Sequence, residues 1–121
     1  MLTMINLDIE NAVASSIDGK VTEDDMKRIL LDAQAKTELH GKVVIFEQID
    51  NFDGIEFSAL LEEVRYLFHA GISHVAKVAV VADKKWIEKI VKVEDKLFRK
   101  IDIKFFLPEE KDQAITFLKQ Q

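Results

Sequence analysis

Apolar and polar residues alternate along 4–9 (Met4, Ile5, Leu7 and Ile9) and continue along 12–17 after Glu10 and Asn11. A period of two interrupted by a short polar pair predicts a β-hairpin with a tight turn. Gly19 and Lys20 end its second strand. The period then lengthens. Thr22, with Asp25 three residues on and acids through the first turn, opens a helix in the manner of a capping box. Met26, Ile29, Leu30 and Ala33 form its buried stripe, and Gly41 marks its far side. Residues 42–49 carry Val43, Val44 and Ile45, the β-branched run of a strand covered on both faces. A second helix is expected over 55–68, with Asp53 as its cap and Gly71 beyond it. Residues 77–81 make another apolar strand, a third helix follows, and 101–107 form the last strand. Pro108, Glu109 and Glu110 suit the first turn of a final helix reaching Leu118.

The order β-β-α-β-α-β-α-β-α predicts an α/β fold: one domain over 1–121, with a mixed, mostly parallel sheet, an N-terminal hairpin and four helices. No repeat, linker or low-complexity tract interrupts it, and the longest apolar runs fall well short of the roughly 20 residues of a membrane-spanning helix. The chain has 48% hydrophobic and 32% charged residues, which is globular composition. The start carries acids where a basic region would lead a signal peptide, so none is expected. The absence of cysteine excludes thiolate metal sites and Cys nucleophiles and fits a cytoplasmic location. The net charge of −5 argues against nucleic acid as partner.

Charge is unevenly spread. Residues 83–104 hold eight of the seventeen Lys and Arg residues and five acids. In this basic helix the apolar arc from Val93 through Trp86, Leu97, Ile90 and Ile87 to Phe98 and Val91 covers about 160°, wider than the roughly 100° stripe of a half-buried helix. Lys89 and Lys96 flank the arc on the side of Trp86, and Lys84, Lys85 and Lys92 add to the charge. On the helix expected over 55–68, Phe57, Leu60, Leu61, Val64, Leu67 and Phe68 share one face, while Ile55 and Tyr66 fall opposite. Two neighbouring helices with surplus apolar groups suggest the border of a pocket or a membrane-facing patch.

The case for catalysis is weak. Asp18, Asp50, Asp53 and Asp83 gather where the parallel strands end, but aspartates at strand-to-helix junctions are more simply caps and turn formers. His40, His69 and His74 fit no zinc spacing. No glycine-rich phosphate loop follows a strand, and Ser15, Ser16, Ser58 and Ser73 sit on no strained nucleophile turn. No cofactor and no metal is expected.

Several signatures in order make the chain resemble the SpoIIAA-like family, domains of the STAS type (sulphate transporter and anti-sigma factor antagonist). They are Ile17-Asp18-Gly19-Lys20-Val21-Thr22, the strand at 43–46 followed by Asp50-Asn51-Phe52-Asp53-Gly54, the run 77–83 leading to Lys85-Trp86, and Lys104-Phe105-Phe106 before the last helix. For sigma-factor regulators of this fold, the resemblance implies a phosphorylatable Ser at the start of the second helix. Here that region reads Asp53-Gly54-Ile55-Glu56, and Ser58 lies a turn further in, so the switch residue is missing or displaced.

The resulting expectation is a non-catalytic, cytoplasmic binding domain. It takes an apolar or lipid-like ligand, or meets an anionic membrane surface peripherally. The contact residues are Tyr66, Trp86, Ile90, Leu97, Phe98, Lys85, Lys89 and Lys96. The alternative is a protein-interaction module of the anti-sigma factor antagonist type, binding through Asp50, Phe52, Asp53 and Glu56. Self-association is left open.

Overall fold

The computed structural model describes residues 2–19, 22–51, 74–91 and 102–120. These form strands β1 (Leu2–Ile5), β2 (Ala12–Asp18), β3 (Val43–Asn51), β4 (Val75–Val81) and β5 (Asp102–Phe106). The helices are α1 (Glu23–His40), α2 (Lys84–Val91) and α3 (Lys111–Lys119), the last entered through a 3-10 turn at Pro108–Glu110. Three α-helices thus stand among the described residues. The helix expected over 55–68, and the basic helix beyond Val91, lie outside them.

The five strands are ordered in space as in sequence. β1 pairs antiparallel with β2, and every later pairing is parallel. The expected mixed, mostly parallel sheet with an N-terminal antiparallel pair is therefore correct. Parallel strands demand crossovers, and the rule for these is a right-handed connection. Because β2 to β3 and β4 to β5 step the same way across the sheet, α1 and α2 share one face. Val13, Ile17, Val43, Ile49 and Ala82 point there, with Ile29 and Ala33 of α1 and with Trp86 and Ile87 of α2. On the other face, Ala14, Val44, Phe46, Ala79, Val81 and Phe106 meet Ala114 and Leu118 of α3.

Local chemistry sets the helix ends. At α1 the Asp25 N–H donates to Thr22 Oγ1 (3.1 Å) and the Thr22 N–H donates to Asp25 Oδ2 (3.0 Å), a complete capping box. At its far end Gly41 takes φ +82° and donates to the Thr37 carbonyl (2.7 Å). Ile29 and Ala33 are buried as expected, with Met26 and Leu30 packed partly buried beside them.

The hairpin differs from expectation. β1 stops at Ile5, and residues 6–11 form a longer connection in which Asp8 has φ +58° and its N–H donates to Asn6 Oδ1 (3.1 Å). Leu7 and Ile9 alternate not as strand residues but because the connection folds back on the face occupied by α3. A second departure lies in β4, where Val75 sits opposite Val43 but Lys77 sits opposite Val44. The extra residue, Ala76, is a bulge that lets Val75 pack on the first face while Lys77 stays in phase with Ala79 and Val81, toward α3. There its Nζ donates to the carbonyls of Phe117 (3.1 Å) and Gln120 (2.6 Å) and lies 4.9 Å from the Phe117 ring centre.

Candidate functional site

Along β3 the side chains alternate between the two faces, which places Glu47 in line with Val43, Ile45 and Ile49, beneath the helices of the first face. Its register partner on β2 is Ser15, itself flanked by Val13 and Ile17. Ser15 is only 2% exposed, the one polar residue among the fully buried described positions. The Ser15 hydroxyl donates to Glu47 Oε2 at 2.6 Å. Glu47 is half-buried as a residue, yet its Oε1 exposes less than 1 Å² and has no hydrogen-bond partner among the described residues.

Removing a carboxyl from water penalises its charged form. Burial pushes the Glu47 carboxyl up to about 8, and the Ser15 hydrogen bond offsets only part of that rise. At neutral pH the group therefore carries its proton. Oε2 accepts from Ser15, which leaves Oε1 as the oxygen without a partner among the described residues. The arrangement is a fixed neutral carboxylic acid, oriented by one hydroxyl. Such a group suits hydrogen bonding to an acceptor more than proton transfer through water.

Trp86 and Ile87 pack against the same core. The Trp86 N–H donates to Asp83 Oδ1 (2.9 Å), so Asp83 caps α2. Lys84, Lys85 and Glu88 of α2 are exposed. Lys89 and Ile90 belong to α2 by backbone, but their side chains lie outside the described residues, as do Tyr66, Lys96, Leu97 and Phe98. Of the expected partner-binding loop, Asp50 is exposed at the end of β3 and accepts from Gln48 Nε2 (2.8 Å). Phe52, Asp53 and Glu56 lie outside the described residues. No group of His, Cys, Asp or Glu among the described residues is arranged to hold a metal ion. No described helix is long and apolar enough to cross a membrane.

A groove of about 490 Å³ opens between the 6–11 connection and α1, lined by Ile5, Leu7, Ile9 and Lys36 among others. Lys36 is committed there to the Ala12 carbonyl (2.6 Å) and to Asp32 (2.8 Å), which ties the helix to the strand.

Sequence reasoning overlooked Glu47 and weighed Ser15 only as a nucleophile. The signal was present: an acid in phase with Val43, Ile45 and Ile49 on a strand covered on both faces cannot point to water.

The SpoIIAA-like family model matches residues 12–119. No curated protein and no solved structure matches the chain. The match runs from β2 through α3, the whole parallel sheet and all the described helices. The chain belongs to the SpoIIAA-like family and carries its STAS-type α/β fold.

Proposed function

We propose that this chain is a non-catalytic binding module that holds an apolar, lipid-like molecule against the helix-covered face of its sheet, with Glu47 as the polar anchor. The observation that carries this reading is the Glu47 carboxyl, withdrawn from water with Oε1 unpartnered among the described residues. A protonated carboxyl among apolar side chains suits the polar end of an amphiphile bearing a carbonyl, carboxylic acid or phosphate oxygen. The basic helix supports the finer form of the reading. Lys84 and Lys85 stand exposed at its start, and Lys89 and Lys96 follow in the sequence. Each lysine contributes about 1 kcal/mol near an anionic leaflet. Trp86, Ile90, Leu97, Phe98 and Tyr66 supply the apolar contact.

Native mass spectrometry of the purified chain tests the ligand. A co-purifying amphiphile, or uptake of added fatty acid, is the expected result, with Glu47→Leu abolishing it. A chain that stays empty in both cases sinks the reading. Co-sedimentation with anionic liposomes at low and high salt tests the membrane form, which fails if nothing binds at low salt.

Family membership favours a second reading, docking on a protein partner as a regulatory module of the STAS type. Asp50, Phe52, Asp53 and Glu56 would supply that surface. Loss of a defined partner in pull-downs of Asp53→Ala or Glu56→Ala chains supports this reading, and unchanged recovery removes that loop from it.

A further inference from the structure

The Ser15–Glu47 pair shares its face of the sheet with Met4, Val13, Ile17, Ile45, Ile49 and Val80, all apolar. Ser15 stands opposite Met4 in register, and Glu47 stands opposite Val80. The described charges of the elements packed there are paired or turned to water. On α1, Asp25 is bonded to Arg28 and Asp32 to Lys36, and the remaining charged side chains are exposed. On α2, Lys84, Lys85 and Glu88 are exposed. Asp18 and Asp50 are exposed at strand ends, and Lys77 lies on the other face, bonded to the end of α3. Glu47 thus has no counter-charge among the described residues. Burial raises its affinity for a proton, and the Ser15 hydrogen bond is what opposes that rise.

We infer that the site selects an apolar ligand whose polar end is an uncharged acceptor, such as an ester, amide or hydroxyl oxygen, over one ending in a carboxylate or phosphate. The inference rests on the reading of Glu47 as a ligand anchor and narrows it to one class of head group. A neutral carboxyl has one proton to donate, and an uncharged acceptor takes that hydrogen bond without bringing charge into the site. An anionic head would leave water with no cation to meet it, and that burial costs more than one hydrogen bond returns. A fatty acid therefore enters in its protonated form, a small fraction near neutrality. A phosphodiester has no neutral form to offer there.

Methyl decanoate and decanoic acid test this, since they share a chain and differ in the charge at its end. Trp86 is the chain's single Trp and packs against the same core, so its fluorescence reads binding. Near neutral pH the wild-type chain should bind the ester about a hundredfold more tightly, because the acid must first take a proton two to three units above its ordinary pKa. Acidifying by two units should close that gap, with decanoic acid gaining about tenfold per unit while the ester affinity stays level. Above about 8 the ester affinity should fall as Glu47 ionises, and Glu47→Gln should abolish that fall. Decanoic acid bound as tightly as the ester at neutral pH overturns the inference and leaves the anchor reading standing, as does an acid affinity that ignores pH. Failure of both probes at every pH sinks the anchor reading, and the inference with it.

Discussion

A carboxyl on the inner side of a central strand binds its proton more tightly in the folded chain than in the unfolded one, and this links stability to pH. The ordinary value of Glu47 is 4.5 and its folded value is about 8. Between these limits the folded chain holds a proton that the unfolded chain has released. Stability therefore falls as pH rises through this window, by roughly 1.4 kcal/mol per unit, and levels off above about 8. Asp25 acts in the opposite sense. The Thr22 backbone N–H, and secondarily Arg28, hold its carboxyl below the usual 3.8, so its contribution is lost as pH drops through that lowered value. These two groups place the stability maximum in mildly acidic solution. Urea unfolding at a series of pH values should show this slope in the wild-type chain and a much flatter profile in Glu47→Gln, which is the more stable of the two near pH 8. The alternation of β3 made the position of Glu47 legible in the sequence. That Oε1 has no partner among the described residues was not legible, because it depends on which atoms the neighbouring strand and helices bring near.

At the scale of elements, ends were more legible than pairings. The Thr22 capping box and Gly41 stop follow from local hydrogen bonding within a few residues, so their sequence signals translate directly into structure. The bulge in β4 does not, since one extra residue shows only against a partner strand. Its result is that Val75 packs on the first face, while Lys77, in phase with Ala79 and Val81, caps the carboxyl end of α3 with two hydrogen bonds. Lys104 Nζ also lies 5.6 Å from the Phe117 ring centre, so that ring takes cations from two strands. Lys77→Met should therefore fray the last turn of α3, costing about 1–3 kcal/mol. Amide hydrogen exchange would show faster exchange at Leu118 to Gln120 while the centre of the sheet keeps its protection.

For the whole molecule, the strand–helix alternation announced a mostly parallel sheet, and the family resemblance pointed to the same fold. Strand order remained hidden, because any sequence of right-handed crossovers gives the same alternation along the chain. The hairpin boundary was misread for a related reason: Leu7 and Ile9 are apolar because they cover the sheet, and a covering loop shares its apolar content with a strand. Of the expected contact residues, only Trp86, Lys85 and Asp50 have described side chains. They occupy three different settings, a core edge, a helix surface and a strand end.

The sequential strand order has a kinetic consequence. Each parallel strand joins the edge left by the strand before it, so the sheet can grow in one direction as the chain is synthesised, with only neighbouring loops to close at each step. α3 is the exception. It is the last described helix of the chain, yet it covers β3 and β4 as well as β5, and Phe46 waits for it from the middle of the sequence. Docking of α3 should then follow the rate-limiting barrier. Leu118→Ala, at a cost of about 2–5 kcal/mol, should speed unfolding with little change in the folding rate, whereas Val13→Ala should slow folding. Stopped-flow chevrons of the two variants would show on which limb each loss appears. Until α3 arrives, the face holding Phe46, Val81 and Phe106 is open to other chains, which makes the final segment a guard against misassembly during synthesis.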